Sequence, residues 1–404
     1  MAMEESEDKR LFRVLFAIVF ALVMGFSVVN PFLPIYLRNI TGTGVMITLV
    51  FSGYALAKIV FSPLAGRYSD LTNRRRYIFT GLALHTAIAF IFFLLPQSIL
   101  VIIVLRFCQG IATALVRPIA QAYVGDMSLE NHEGAVMGTF DISFYLALAI
   151  GPLVGGIIGE PLGYRGLFLV SFLLCLFALT LAIIFIWDKH GSPMTVEMAP
   201  GNNRWSVIFN TRILQGLFCY IFSRSFGLIL VPIFLPLFLS SQLHIGYRGI
   251  GICLAAGSLC TALLLRPMGK LSDRTDRRQL IVIGGVLSGV TILLLPFADG
   301  LWNATFLILC LSLFSAISLP ASTAILVEEG KRHGLGYTMG IFHSVMNGGF
   351  VIAPLLGGIL YDLFTLQSVF YFAGMTGVTG TVIFAVYCRP RVGQKNHYTC
   401  EKSR

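Results

Sequence analysis

Charge is what this sequence has least of. Only 12% of its 404 residues are Asp, Glu, Lys or Arg, against about 25% in an ordinary soluble chain. Too few charged side chains are present to cover a soluble protein of this size. Catalytic signatures are missing as well. There is no His-Glu-x-x-His, no Gly-x-Ser-x-Gly and no phosphate-binding Gly-Lys-Ser/Thr. His132-Glu133 lacks the second histidine, and Gly334-x-Gly336 follows no strand pattern. The chain is therefore not expected to be an enzyme. With no ATPase signature, any work it does must draw on a gradient, with no cofactor. Seven of the eight cysteines fall in or at the end of apolar runs and the eighth, Cys400, is in the tail, so no disulfide framework is implied.

What is abundant is apolar sequence, 56% of the residues. It falls into twelve runs near 11–34, 45–66, 77–95, 98–124, 134–158, 164–187, 212–239, 246–271, 279–297, 301–327, 336–360 and 367–388. Each is long enough to cross a hydrocarbon core of about 30 Å as a helix. The stretch 188–211 is polar, carries Pro193, Pro200 and Asn202-Asn203, and reads as a linker. The organisation expected is a first six-helix bundle over 1–187, the linker 188–211, a second bundle over 212–390 and a tail over 391–404. The lipid bilayer is the chain's first partner, and the cell (inner or plasma) membrane its expected location.

The net charge of +10 does not point to nucleic acid, because Lys and Arg lie mainly in short loops between apolar runs. Of the 29, 21 fall on the side of the N-terminus, five within spans, and only Arg38, Arg165 and Arg248 on the other side. Basic loops stay in the cytoplasm, which places both termini and the linker there.

The halves repeat. Gly134-Ala135-Val136-Met137-Gly138 returns 202 residues later as Gly336-Tyr337-Thr338-Met339-Gly340. Pro152, Gly155 and Gly156 return as Pro354, Gly357 and Gly358, and Asp126 as Glu328. A same-sense repeat of six spans implies an approximate two-fold axis along the membrane normal, with a substrate site between the halves near the midplane.

One loop also occurs twice. Gly66-Arg67-Tyr68-Ser69-Asp70-Leu71-Thr72-Asn73-Arg74-Arg75-Arg76 is echoed 203 residues on by Gly269-Lys270-Leu271-Ser272-Asp273-Arg274-Thr275-Asp276-Arg277-Arg278. This pair resembles the signature loop of the major facilitator superfamily. Three further motifs resemble its twelve-helix drug:proton antiporter branch: Gly25 with Pro31-Phe32-Leu33-Pro34, Arg106-Phe107-Cys108-Gln109-Gly110, and Gly151-Pro152-Leu153-Val154-Gly155-Gly156. The usual first glycine of the last motif is Ala147 here. Tyr68, Leu71 and Asn73 replace the loop's usual Leu, Arg and Gly, and the second copy has Asp276 at that Gly position.

The resemblance implies an all-α integral membrane protein of twelve helices in two pseudo-symmetric six-helix bundles, with both termini inside. It also implies a latch on the cytoplasmic side, made by Gly66, Asp70, Arg74, Arg75 and Asp126, with Gly269, Asp273 and Arg277 as the second copy. A merely topogenic arginine cluster is the other reading of that loop. Gly151, Pro152, Gly155 and Gly156, with Pro354, Gly357 and Gly358, form either a hinge on which helices rock or a plain packing face.

Ionisable residues inside spans cost roughly 2.5–3.5 kcal/mol each at a helix centre, so each should face a cavity or a partner. The cations are Lys58, Arg106, Arg117 and Arg224, with Arg266 near a span end; Asp141 is the one acid well inside a span. Asp141 and His343, 202 residues apart, suit a proton carrier, joined by Arg106 through the resemblance. The alternatives are a static ion pair of Asp141 with Lys58 or an arginine, and a hydrogen-bonded core histidine. Lys58, Arg117 and Arg224 either receive a substrate's negative charge or form a structural network. Arg106, Thr113 and Arg117 share a helix face by spacing, as do Asp141, Tyr145 and Pro152. Tyr54, Tyr145 and Tyr220 would add stacking contacts.

The first span has no acid between Phe12 and Pro34, whereas many cationic-drug exporters of the branch carry one there. The expectation is a monomeric secondary transporter that exchanges a small amphiphilic or anionic organic compound for protons by alternating access, a multidrug-efflux type of activity. Import or facilitated passage of an organic anion, and a non-transporting scaffold or sensor, are the readings that compete with it.

Overall fold

The computed structural model describes residues 6–41, 43–71, 73–126, 133–186, 212–333 and 335–388, so the linker and tail lie outside the described residues. Helices are the whole of the regular structure among them: α1 (Ser6–Val29), α2 (Leu33–Thr41), α3 (Gly44–Leu71), α4 (Arg74–Phe93), α5 (Ile99–Asp126), α6 (Glu133–Phe185), α7 (Arg212–Ser241), α8 (Tyr247–Arg274), α9 (Arg277–Leu294), α10 (Leu301–His333), α11 (Leu335–Leu363) and α12 (Leu366–Tyr387).

Eleven of these are long and apolar enough to cross a membrane. One of them counts twice. The apolar part of α6 covers 47 residues, about 70 Å at 1.5 Å per residue, more than twice a bilayer core. It reverses at Gly163, whose φ of 59° is the left-handed region open to glycine. The chain is thus a twelve-span membrane protein, and the expected break between runs five and six is a sharp turn inside one helical stretch.

The first run differs from its expected form. The apolar run predicts one helix as far as Pro34, but α1 stops at Val29. Pro31 has no N–H to continue the ladder, and the turn closes instead through Asn30 N–H to the Phe26 carbonyl (2.9 Å) and Phe32 N–H to the Val29 carbonyl (3.0 Å). The short α2 then packs against the start of the second half.

The internal repeat is visible in the packing. A Cβ at Gly155 would meet the Val28 carbonyl and the Phe32 ring, and one at Gly357 would meet Leu230 and the Phe234 ring, the same positions 202 residues on. Gly81 likewise abuts Ala112 and Val116, where Gly284 abuts Phe314 and Ser318. Each half packs its own helices, α1 on α6 and α3 on α5 in the first, α7 on α12 and α8 on α10 in the second. Among the described residues the halves meet mainly where α6 packs on α8 and α3 on α11, with a smaller contact of the short α2 on α7.

Candidate functional site

The two halves touch at the end away from the arginine loops. There α6 and α8 come within backbone distance: a Cβ on Gly156 would lie 2.7 Å from the Tyr247 carbonyl oxygen and 3.1 Å from the Gly251 Cα. The repeat supplies the mirror contact, Gly358 against the Gly44 carbonyl and Thr48. So Gly156 and Gly358 serve the seam between halves, while Gly155 and Gly357 serve packing within a half. Pro152 and Pro354 lie inside their helices beside these glycines. Gly151 is pressed on Ser27 of α1.

Polar bonds reinforce the seam. The Asp362 carboxylate accepts from the Gly44 N–H and from the Val45 N–H (2.9 Å), capping the first turn of α3 from the other half. Arg248 pairs with Glu160 at 3.1 Å. Ser52 donates to the Val351 carbonyl at 3.0 Å, and the Tyr164 and Tyr247 rings meet edge to face, 5.9 Å between centroids.

Toward the loop end the halves part around a cavity of about 650 Å³ lined by Tyr145 of the first half and by Leu265, Arg277, Pro320, Thr323 and Glu328 of the second, among others. A second cavity of about 350 Å³ lies inside the second half, reached past Tyr145, with Tyr220 and Arg224 in its wall. No acidic residue lines it.

In the first half Tyr54 gathers several of the polar residues picked out above. Its ring stacks on Phe26 (5.4 Å between centroids, 22°), its hydroxyl donates to Thr113 Oγ1 (3.3 Å), and the Lys58 ammonium sits 5.6 Å above it. Arg106 and Arg117 both lie near enough to feel it electrostatically. Arg117 places its guanidinium 3.5 Å from the centre of the Phe144 ring, beside Asp141 and Tyr145. Asp141 in turn accepts from Gln121 Nε2 at 2.8 Å. The acid is thus bonded to Gln121 of α5, with Arg117 of the same helix close enough to feel its charge.

Arg106, on the same face of α5 as Arg117 by spacing, has different surroundings. It is 3% exposed, and Phe26, Phe51 and Phe92 surround its guanidinium at 5.4–5.8 Å, a cation–π enclosure. Its Nε and the nearby Gln109 Oε1 have no hydrogen-bond partner among the described residues, and they border a gap of about 10 Å³. The buried His85 stands by, its Nδ1 3.5 Å from Cys175 Sγ.

At the loop end, Arg75 donates Nε and Nη2 to the Tyr123 hydroxyl (2.8 and 2.6 Å), and Arg277 pairs with Glu328 at 3.1 Å. The residues standing at the usual glycine position are helix caps: Asn73 accepts from the Arg75 N–H (3.1 Å) and Asp276 from the Arg278 N–H (2.9 Å). Gly66 and Gly269 have open space where a Cβ would go. Arg74 is engaged in contacts of its own. The side chains of Asp70, Asp126, Asp273 and His343 lie outside the described residues.

Sequence reasoning passed over Glu160, Arg248, Asp362, Tyr164 and Tyr247. The signal was there for the acids, which are 202 residues apart.

Comparison with known proteins agrees with this architecture. The chain is 25% identical over 388 residues to an uncharacterized MFS-type transporter of Methanocaldococcus jannaschii, covering 93% of this chain and 97% of that one. It is 24% identical over 386 residues to the quinolone resistance protein NorA of Staphylococcus aureus, covering 94% and 96%. Among solved structures, a bacterial homologue of the human lysosomal transporter Spinster, inward-facing and unoccupied, superimposes with a TM-score of 0.78 at 13% identity, over 95% of this chain and 96% of that one. The Major Facilitator Superfamily pattern matches residues 15–234 and 216–398, and the chain therefore belongs to that family of membrane transporters.

Proposed function

We propose that the protein exports a small amphiphilic or anionic organic compound in exchange for protons, by alternating access. The observation that carries this reading is the seam: two similar bundles joined at one end by glycine contacts and a few polar bonds, and parted at the other around a cavity. Such a joint can open as a unit, because each half keeps its own core. The excess of Lys and Arg at the loop end supports a cytoplasmic position for that end, and in this reading the arrangement is inward-open.

Asp141 is the proton carrier in this reading. Protonation changes its pairing with Arg117 and so biases the equilibrium between the two open states, and antiport follows where the protonated and the cargo-bound forms exclude each other. Efflux agrees with the likeness to a quinolone resistance protein. A second reading, facilitated passage of an organic anion, is favoured by the hydrogen bond from Gln121 to Asp141, which suits a static partner equally well.

The test is proton movement in proteoliposomes holding a pH gradient, on adding 2-naphthoate or its cationic counterpart 2-naphthyltrimethylammonium. The antiport reading expects naphthoate to move protons and Asp141→Asn to abolish that movement. Equal naphthoate flux without a gradient, unchanged in Asp141→Asn, supports the facilitator instead.

A further inference from the structure

The two halves are built on one plan, yet one interior is plugged and the other hollow. Nine residues border the gap beside Arg106. All but Phe92 and Phe168 have counterparts, 202 or 203 residues on, that line the cavity of about 350 Å³ in the second half. Gly25, Val29 and Gln109, for example, correspond to Gly227, Val231 and Leu311. The plug and the cavity are therefore the same place in the two bundles.

What separates them is side-chain bulk. Arg106, Phe26, Phe51 and Tyr54, which fill the first half, are replaced by Ile308, Leu228, Leu254 and Gly257. The lost guanidinium and rings leave room of about 350 Å³, at the lower end of the roughly 300–1,000 Å³ of small-molecule sites. Serines and threonines such as Ser258, Ser312 and Thr381 line it, and two larger polar groups of α7 stand beside them. Arg224 stands in the wall, and the Tyr220 hydroxyl, on a residue 1% exposed, has no hydrogen-bond partner among the described residues. They are four residues apart on α7 and so share a face. A buried, unpartnered hydroxyl is costly unless a ligand satisfies it.

We infer that this cavity, off the two-fold axis and within the second half, is the seat of the cargo's apolar body, and that it takes a planar aromatic carboxylate of about two rings. The rings lie among Leu228, Leu254, Ile308 and Leu311; the carboxylate receives the Arg224 fork and the Tyr220 hydroxyl. The first half, its equivalent place closed by its own arginine, handles charge through Tyr54, Arg117 and Asp141. The inference rests on the organic-anion reading above and gives it a location.

The experiment is photo-crosslinking of the whole protein in liposomes with 4-benzoylbenzoate, mapped by peptide mass spectrometry. Adducts are expected in 212–241, 247–274 and 301–326, competed by 2-naphthoate and not by 2-naphthyltrimethylammonium. Gly377→Leu should reduce them by about tenfold or more, the effect of losing roughly 1.4 kcal/mol of binding. A Cβ there meets nothing closer than the Gly289 Cα at 3.9 Å, so the added side chain enters the cavity. Adducts in the first half or spread over both halves, equal competition by the cation, or full labelling of Gly377→Leu would each overturn the inference. The wild-type map stands by itself where the variant does not fold. Labelling confined to the second half with no proton coupling would sink the antiport reading and leave this site in place.

Discussion

Glu160 and Asp362 occupy the same position in the two halves, 202 residues apart, and each reaches across to the start of the other half's incoming helix. Glu160 pairs with Arg248 at the head of α8, and Asp362 holds the first amides of α3. The two-fold axis thus generates both polar clasps of the closed end from one design. Their chemistry is unequal. The Glu160–Arg248 pair is about half exposed, 45% and 62% for the two side chains, and contributes about 0.2–1 kcal/mol, whereas loss of a cap costs about 0.5–2 kcal/mol.

That difference is measurable. Asp362→Ala should open the far end more often than Glu160→Gln does. With Ser52→Cys as reporter, buried under the seam, labelling by a membrane-impermeant maleimide should speed up by about 2- to 30-fold in Asp362→Ala and by no more than about 5-fold in Glu160→Gln. Equal rates in all three proteins would mean that the clasps do not hold the seam.

Gly156→Val tests the close approach itself. A side chain there strikes the Tyr247 carbonyl and the Gly251 backbone, neither of which can turn aside. The α6–α8 seam should fail to close, with transport falling below a tenth of wild type and Ser52→Cys becoming labelled rapidly. Gly159→Ala, whose Cβ would meet side chains at 3.2 Å or more, should retain most activity.

Much of this was legible in the residues. The spans follow from uninterrupted apolar runs, and the repeat from motifs such as Pro152-x-x-Gly155-Gly156 and Pro354-x-x-Gly357-Gly358. The place of Arg106 was not. Eleven residues of helix bring Arg106 and Arg117 to nearly the same face, but which chamber each enters depends on Phe26, Phe51 and Phe92, carried by three other helices. No spacing along α5 encodes them. Asn73 and Asp276 looked like departures from a loop pattern because a cap is defined by the helix that starts after it.

Those caps yield a stability prediction. Asn73→Ala removes the acceptor for the Arg75 N–H and should destabilise α4 by about 1 kcal/mol, while Asn73→Gly costs only a few tenths. The unfolding midpoint in detergent should fall measurably for alanine and barely for glycine. The opposite order would contradict the capping role.

Arg106→Met separates charge from packing. Burying a guanidinium without an acid is costly, and methionine fills an irregular gap among rings. The unfolding midpoint should hold or rise while transport is lost. A large fall in the midpoint would show the guanidinium to be a structural strut.

The measurement that bears most directly on the account is a pair of spin-label distances in one liposome preparation. Labels at Leu162 and His244 report the closed end, and labels at Tyr68 and Leu271 the loop end. On adding 2-naphthoate under a pH gradient, the first distance should lengthen as the second shortens, because one cavity is reached from one side at a time. If both distances lengthen together, or neither moves while naphthoate crosses, the protein does not work by rocking two halves about the seam.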